Sequence, residues 1–380
     1  MRAILIAARF IVGLVFIFSG TVKAIDPMGS AYKFQDYFLA FNLGFLKDMG
    51  LPLAILLCTA EFIAGFCVLT GIRQKAGITA VMLLMIIFTP LTFILALTNP
   101  VSDCGCFGDA IQLTNWQTFG KNVVLIILAA FLFVNRNKAI NVIKPSAEWA
   151  YTAAMAMIFV LFALYNLRYL PVIDFLPYKT EVNISENMAI PEGAPSDKYE
   201  TTFIYEKDGV KKEFDLSNYP ADDTSWIFVD QRSVLLEKGY EPPIHDFTLT
   251  SQAGEDLTEE ILSYDGMSLF MISKKLTEAS RKRILKGFDL GTWCMNKGIR
   301  FYVLTASGPE EIKNYESGQQ FCTVDETTLK TMVRTNPGYI LLENGVIKGK
   351  WSWANVPEGE RFIKQKPEVG RQKSEVEEKK

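Results

Sequence analysis

Two cysteines one residue apart form the clearest chemical motif of the sequence. They lie in the stretch Asp103-Cys104-Gly105-Cys106-Phe107-Gly108-Asp109, whose glycines permit tight backbone geometry. A disulfide across one intervening residue closes a small strained ring, and strained exposed disulfides are oxidising and exchange readily. The pattern predicts a transferable disulfide at Cys104 and Cys106. Two alternatives stay open: a static disulfide or two unrelated thiols, and a Cu(I) site of two soft thiolates, although no Met or His lies nearby.

Charged residues surround this motif. Asp103 and Asp109 flank the cysteines, Lys23 ends the first apolar segment and Lys121 begins the fourth. Cations near a thiol lower its pKa, so we expect Lys23 and Lys121 to raise the thiolate fraction, with the two aspartates as further supporting groups. The alternative is that both lysines only reach towards the membrane interface, as terminal lysines commonly do.

Glu61 lies ten residues into the second apolar segment. A carboxylate at such a depth is costly and is by default functional. Cys58 lies three residues earlier on the same helix face, and Glu61 is a candidate to accept a proton or to pair with Lys23. A protonated Glu61 that is hydrogen-bonded inside a helix bundle is the alternative.

The elements that must position these residues are apolar segments of membrane-spanning length. A spanning helix needs roughly 20 apolar residues. Five segments predict an α-helical transmembrane bundle: Ile4 to Ala24, Leu51 to Gly71, Ala76 to Leu97, Phe119 to Val134 and Trp149 to Leu167. The first segment also has features of a signal peptide, but Arg9 interrupts its apolar region and disfavours that interpretation.

Basic residues in the short loops predict the orientation of the bundle. Arg2, the turn at residues 73–75 and the connection at residues 136–144 are more basic than the loops between them, which predicts that they are cytoplasmic. The loop at residues 99–118 and everything after residue 168 then face the periplasm, where cysteine pairs can be oxidised. We therefore expect a multi-pass protein of the bacterial inner membrane with a cytoplasmic N terminus.

These residues carry a resemblance to a known family. The MauE/DoxX family of small membrane proteins is similar in three places: Phe18-Ser19-Gly20 with Lys23, Glu61 with Gly65 and Gly71, and the cysteine motif followed by Lys121-Asn122. The resemblance covers residues 1–136 and implies a four-helix bundle, to which this chain adds a fifth span. It implies thiol or sulfur redox chemistry and, for the MauE branch, maturation of a disulfide-rich periplasmic enzyme. On this chain it implies Cys104 and Cys106 as the redox pair, supported by Lys23, Glu61 and Lys121.

The chain after the bundle is polar and acidic. Residues 1–168 carry 12 Lys and Arg against 7 Asp and Glu, a net +5, whereas the rest carries 27 against 35, a net −8. An acidic exposed part argues against a nucleic-acid partner. The single histidine, His245, excludes a His-rich metal site, and we predict no metal.

We expect a multi-domain membrane protein with five parts. They are a four-helix bundle at 1–136, a cytoplasmic loop with the fifth span at 137–169, a tether with short strands at 170–241, an α/β domain at 242–365 and a charged disordered tail at 366–380. In the α/β domain, strands are predicted at 247–249, 268–272, 300–304, 320–324, 339–342 and 346–351, and helices at 276–296, 310–315 and 326–334. Strand, long helix and strand predict a parallel crossover. Asp208-Gly209 and Asn344-Gly345 predict hairpins.

This order resembles the thioredoxin fold, with Thr335-Asn336-Pro337-Gly338 in the place of the family's cis-proline loop. Where that family has Cys-x-x-Cys, this sequence reads Ser273-Lys-Lys-Leu-Thr-Glu-Ala-Ser280. The domain therefore lacks dithiol chemistry at that position, and we expect it to bind a partner or to cover the membrane site. Cys294 and Cys322 are predicted to be buried structural thiols, with a disulfide between them as the alternative.

Two functional hypotheses follow. The first is an inner-membrane thiol/disulfide redox protein that supports periplasmic protein maturation through Cys104-Gly105-Cys106, with a disulfide-containing client protein as partner. By analogy with other membrane disulfide enzymes, a quinone is a candidate electron carrier. The second is a non-enzymatic, membrane-anchored binding or assembly factor with a redox-inactive α/β domain, so the sequence leaves open whether the chain is an enzyme. A third is small-solute or metal handling along a path that includes Glu61.

Overall fold

The computed structural model describes residues 2–101, 104–138, 145–220, 223–315, 318–359 and 361. The chain divides into two compact units, one of Met1–Glu181 with Thr248–Lys380 and the other of Val182–Phe247. Asp103 and the predicted tail at 366–380 lie outside the described residues.

The first unit begins with a helical bundle. Its helices are α1 (Arg2–Ile25), α2 (Pro27–Ala40), α3 (Gly50–Thr70), α4 (Gln74–Thr98), α5 (Asn115–Val134) and α6 (Pro145–Arg168). Five helical segments are long and apolar enough to cross a membrane, and α2 is not among them. The five predicted spans are therefore confirmed, with their ends shifted by a few residues.

Helix α2 fills a segment that the sequence predicted as a loop. Its start is well defined because Asp26 is the N-cap residue, its carboxylate accepts a hydrogen bond from the Gly29 backbone N–H at 2.9 Å, and Pro27 occupies the first turn. The helix lies at the same end of the bundle as the connection between α4 and α5. We call this end the cysteine-loop end.

Helices α1 and α3 cross at very short distance because glycines line the contact. A Cβ atom on Gly20 would lie 2.7 Å from the Cys58 carbonyl oxygen, and one on Gly65 would lie 2.8 Å from the Gly13 carbonyl oxygen. Small residues let helix backbones approach in this way inside membranes. The contact fixes the register of α1 against α3, which carry Ser19, Lys23 and Glu61.

Helix α6 packs against α1 and α3. The rings of Phe159 in α6 and Phe62 in α3 stack with centroids 4.0 Å apart. The Asn166 side chain of α6 donates a hydrogen bond to the Ala24 carbonyl oxygen of α1 at 3.0 Å. The fifth predicted span is therefore part of the bundle core.

The second unit contains a three-stranded antiparallel sheet. After the short helix α7 (Ile184–Met188), its strands β1 (Lys198–Lys207), β2 (Val210–Asp215) and β3 (Ile227–Glu237) lie in the order β2-β1-β3. The predicted hairpin is confirmed, since Asp208 and Gly209 both have positive φ at the β1–β2 turn. The strands are longer than the short ones predicted here, and Tyr205 of β1 packs edge to face with Phe214 of β2 and Phe228 of β3.

The first unit continues, after the second, with an α/β domain around a six-stranded mixed sheet. Its strands are β4 (Thr250–Ser251), β5 (Met267–Ile272), β6 (Arg300–Thr305), β7 (Gln320–Thr323), β8 (Gly338–Glu343) and β9 (Val346–Ser352), in the order β4-β7-β6-β5-β8-β9. Its helices are α8 (Thr258–Leu262), α9 (Arg281–Asn296), α10 (Pro309–Lys313) and α11 (Glu326–Met332). Strands β5, β6 and β7 are parallel, which confirms the predicted crossover through α9. Asn344 and Gly345 have positive φ at the β8–β9 turn, as predicted.

Two predicted elements of this domain differ from the structure. The strand predicted at 247–249 is wrong, because the Leu249 N–H donates to the Thr258 hydroxyl rather than to a neighbouring strand, and strand pairing begins only at Thr250 in β4. The helix predicted from residue 276 begins at Arg281, because the chain is extended just before it, at Ser280. The prediction for Cys294 and Cys322 is confirmed, since both are free and fully buried.

Candidate functional site

The cysteine loop connects α4 to α5 and is held by hydrogen bonds to its backbone. Lys23 Nζ and Ser19 Oγ donate to the Cys106 carbonyl oxygen at 2.8 and 2.9 Å. The Tyr37 hydroxyl of α2 donates to the Cys104 carbonyl oxygen at 2.5 Å. Helices α1 and α2 therefore fix both cysteines from their main chain and leave the two sulfur atoms for chemistry.

The turn between the cysteines requires glycine. Gly105 has φ +64°, and a Cβ atom there would lie 2.9 Å from Lys33 Cγ. The two ends of the loop are tied together by Asn115, whose side chain donates to Asn99 Oδ1 at 2.7 Å and to the Val101 carbonyl oxygen at 2.9 Å. This fold of the loop brings two side chains with one residue between them to the same side.

Both thiols are free and half-buried, and they interact with each other. The hydrogen bond that Cys104 donates to Cys106, together with the positive charges of Lys121 and Lys23, lowers the pKa of Cys106 to about 6. The same hydrogen bond and burial raise the pKa of Cys104 above its ordinary value. At neutral pH, Cys106 is therefore the thiolate of the pair.

A buried ion pair lies directly below Cys106. Lys23 Nζ is 2.8 Å from Glu61 Oε2 and 3.0 Å from Oε1, and the two residues are only 6% and 2% exposed. The Ser19 hydroxyl joins this network, at 2.9 Å from Glu61 Oε2. The structure thus places Lys23 inside the bundle rather than at the membrane interface.

Lys121 approaches the loop from α5. Its Nζ lies 4.2 Å from the ring centroid of Phe107, whose edge also packs on Phe18. The next residue, Asn122, donates to the Thr92 hydroxyl of α4 at 3.1 Å, which fixes this part of α5.

The predicted site residues divide into three groups. Five of them, Cys104, Cys106, Lys23, Glu61 and Lys121, line one cavity between the helices. Asp109 lies elsewhere, in the domain contact described next, and Asp103 lies outside the described residues. Among the residues that the structure describes, no group of three or more His, Cys, Asp or Glu is placed to hold a metal ion.

Arg334 of the α/β domain reaches the cysteine-loop end of the bundle. Its Nη2 lies 2.5 Å from Asp109 Oδ2, its Nε lies 2.7 Å from Asp26 Oδ2, and its Nη1 donates to the Lys330 carbonyl oxygen at 2.7 Å. The residue is 7% exposed. One guanidinium therefore bridges the loop and the start of α2 with two charge-assisted contacts.

A second contact joins Lys274, immediately after β5, to α2. Its Nζ donates to the Tyr32 hydroxyl, and Lys274, Lys330 and Arg334 lie 5.0, 5.1 and 5.6 Å from the Tyr32 ring centroid. Burial lowers the pKa of Lys274 to about 8. The Ser273 hydroxyl donates to Asn336 Oδ1 at 2.8 Å, so the loops after β5 and before β8 form one surface against α2.

Sequence reasoning missed several residues of this region. Ser19 belongs to the Phe18-Ser19-Gly20 motif, but the motif alone indicates no role for its hydroxyl. Tyr37 has no signal because the sequence does not predict helix α2. Arg334 and Tyr32 also went unnoticed, since their partners are far away in the chain.

Comparison with known proteins identifies the bundle. Residues 1–135 match the family model of methylamine utilisation protein MauE. The MauE match spans α1 to α5 with the cysteine loop and confirms the MauE part of the resemblance seen in the sequence. Helix α6 and the α/β domain lie beyond the MauE match.

The other comparisons add little. Residues 199–238, which include β1 to β3, match a domain of unknown function. The probable ATP-dependent RNA helicase ddx52 of Dictyostelium discoideum is 30% identical over 92 residues, which cover 21% of this chain and 14% of the helicase. A match to so small a share of the helicase assigns no activity. No solved structure matches the chain.

Proposed function

We propose that this MauE-like membrane protein is a thiol/disulfide redox protein in which Cys104 and Cys106 cycle between dithiol and disulfide. The basic loops at the opposite end of the bundle favour an orientation with the cysteine loop in the periplasm of a bacterium. The partner would be a periplasmic client protein that gains or loses a disulfide during its maturation.

One observation carries the proposal. The two free thiols lie one residue apart, share a hydrogen bond, and are held from their carbonyl groups beside Lys23 and Lys121. A reactive cysteine needs thiolate character in an electropositive and partly exposed setting. Both conditions are met at Cys106.

The chemistry assigns different roles to the two cysteines. The Cys106 thiolate attacks a client disulfide, forms a mixed disulfide and releases one client sulfur as thiolate. Cys104, after loss of its proton, then attacks Cys106, forms the Cys104–Cys106 disulfide and releases the second client thiolate. Two electrons move to the client, and the reverse sequence gives a disulfide to a client dithiol.

The α/β domain would be a redox-inactive, thioredoxin-like cover. Its strand order and parallel β5-β6-β7 core support this assignment. The segment from Ser273 to Ser280 has no cysteine, and its residue Lys274 contacts α2 instead. Because Arg334 binds Asp109 three residues after Cys106, the domain is placed to control access to the loop.

These contacts also favour a second candidate function. In a membrane-anchored assembly factor, the α/β domain would hold a partner protein and the cysteine loop would be structural. The missing Cys-x-x-Cys fits this function as well. The two functions differ in whether the oxidation state of Cys104 and Cys106 changes.

Thiol trapping in intact cells tests the proposal. Cells are quenched with acid, alkylated with a mass-tagged maleimide, and sampled before and after a pulse of reductant. Wild type is compared with Cys104→Ser and Cys106→Ser. Cys67→Ser is the matched control, because Cys67 is buried near the opposite end of α3.

We expect the pair to recover its disulfide after the pulse, and Cys104→Ser to accumulate a mixed disulfide because the resolving thiol is gone. Cys67→Ser should behave as wild type. A pair that keeps one state throughout, with serine variants that support normal growth, would exclude the redox function and favour the assembly factor.

A further inference from the structure

A cavity lies between α1, α2, α3, α4 and α5 at the cysteine loop, and thiol exchange with a client makes no use of it. Its volume is about 110 Å³. Cys104 and Cys106 line its loop end, while Met85 and Leu125 line it from the middle of α4 and α5. An apolar cavity of about 150 Å³ is known to bind benzene, so a cavity of this order accommodates one six-membered ring.

Most of the wall is apolar. Aromatic and aliphatic side chains of five helices contribute to it, including Phe16, Phe34, Leu57, Phe88 and Leu125. Several charges on a water-soluble cofactor would lose their hydration against such a wall at large cost. The wall therefore favours a ligand that is itself apolar and reaches the site from the membrane.

A few polar groups interrupt this wall near the thiols. Lys23 and Glu61, which form an ion pair with each other, line the cavity together with Lys33 and Tyr37. Lys121 also lines it, and so does Ser30 of α2, whose buried hydroxyl makes no hydrogen bond within the described residues. An unpaired buried hydroxyl costs free energy that an acceptor on a ligand would recover. Lys121 and Ser30 are both hydrogen-bond donors, so the cavity suits an apolar ring that carries acceptor oxygens.

We propose that this cavity binds the ring of a membrane quinone, and that the Cys104–Cys106 dithiol passes its electrons to it. A quinone ring is planar and apolar, has two carbonyl oxygens as acceptors, and dissolves in the bilayer. The inference rests on the proposed function, because it names the electron acceptor of the same cysteine pair.

The electron balance of this step is simple. Cys104 gives up its S–H proton, the Cys106 thiolate contributes its charge, and an S–S bond forms between the two sulfur atoms. The pair is oxidised by two electrons, and the quinone is reduced to quinol. Of the two protons that the quinol oxygens gain, one comes from Cys104 and one from solvent.

This step also sets the direction of electron flow. A pair that is oxidised by a quinone presents a disulfide to its client, so electrons run from a client dithiol through Cys106 and Cys104 to the membrane. The protein would then introduce disulfides into its client rather than remove them.

The test uses the purified full-length chain in lipid nanodiscs, first reduced and then mixed with ubiquinone-1. Loss of quinone absorbance and loss of free thiols are followed together. Leu125→Trp fills the cavity, and Ile127→Trp is its control on the exposed side of the same helix. We expect one quinone reduced per disulfide formed, and Leu125→Trp to slow the reaction by about tenfold or more, since overfilling a packed site is costly.

A parallel titration with reduced and oxidised glutathione separates the two proposals. If glutathione cycles the pair but ubiquinone-1 fails to oxidise it, or oxidises Leu125→Trp as fast as wild type, the quinone inference is wrong and the redox function stands. If neither reagent changes the state of the pair, the redox function itself is wrong.

Binding is measured separately from chemistry. An azidoquinone is photolysed with the variant Cys104→Ser/Cys106→Ser, and the labelled peptides are identified by mass spectrometry. Labels within α4 and α5 at Phe88, Leu91 or Leu125 support the site. Labels confined to other helix faces, with no competition by ubiquinone-1, would overturn it. A variant Ser30→Ala that binds several-fold more weakly would assign the donor.

Discussion

The buried ion pair of Lys23 and Glu61 yields the sharpest prediction for stability. In the variant Lys23→Met, the Glu61 carboxylate keeps the Ser19 hydroxyl at 2.9 Å but loses its counter-charge at a site that is 2% exposed. Removal of one partner from a buried pair costs about 3–5 kcal/mol. The one proton of the Ser19 hydroxyl serves either the Glu61 carboxylate or the Cys106 carbonyl, which also lies 2.9 Å away, so the loop loses part of its attachment when the Lys23 donor is removed.

The double variant Lys23→Met/Glu61→Gln removes both charges, and its neutral amide still accepts from Ser19. We expect it to regain at least half of the stability that Lys23→Met loses, because replacement of a whole buried pair is often nearly neutral. Unfolding by SDS titration in mixed micelles measures both values. Lys75→Met, an exposed lysine at the opposite end of the bundle, should stay within about 0.5 kcal/mol of wild type.

Two outcomes would refute this reasoning. If Lys23→Met were as stable as wild type, Lys23 would not be paired inside the bundle and would instead reach the interface. If the double variant were as unstable as the single one, the contribution of Lys23 would lie in packing or in the loop rather than in charge. The single variant Glu61→Gln completes a double-mutant cycle, whose coupling free energy distinguishes the two.

Three further predictions concern the loop. Alkylation of Cys106 should reach half its maximal rate near pH 6, because the pKa of this thiol is lowered to about 6. The variant Lys121→Met should move this midpoint to higher pH, since it removes a positive charge that stabilises the thiolate. Gly105→Ala should destabilise the protein by about 1–2 kcal/mol in thermal unfolding, because φ is +64° and the new Cβ would crowd the Lys33 side chain. The control variant Gly120→Ala should be neutral or slightly stabilising, because a Cβ there would have no atom within 4 Å. Arg334→Met should speed alkylation of Cys106 several-fold by releasing the α/β domain from the loop, and an unchanged rate would mean that the domain does not restrict access.

The sequence predicts the bundle well because membrane spans have a strong signal. Long apolar runs leave few alternatives, and their ends move by only a few residues. The sequence does not predict helix α2, because its 14 residues are mixed in polarity and too few to span a bilayer. Runs of apolar and β-branched residues predict most strands of the α/β domain. Strand β4 differs from the strand predicted at 247–249, because only two residues pair there.

The same contrast holds for the site. A carboxylate inside a span must find a partner, so the Lys23–Glu61 pair was among the possibilities that the sequence offered. The contacts of Arg334 join residues 308 and 225 positions apart, to Asp26 and Asp109, and no local pattern announces a contact at such separation. The missing cysteines after β5 predict that this surface serves another purpose than dithiol exchange.

Asp26 takes part in two contacts at once. One of its oxygens caps α2, and the other binds Arg334, while α2 holds the Cys104 carbonyl through Tyr37. Attachment of the α/β domain and the conformation of the cysteine loop are thus linked equilibria, and such linkage is reciprocal. If attachment of the domain changes the equilibrium constant between dithiol and disulfide by some factor, oxidation of the pair must change the equilibrium constant for domain attachment by the same factor. The affinity of the α/β domain for its own bundle would then depend on the redox state of the two cysteines, and a partner protein outside the membrane could respond to that affinity.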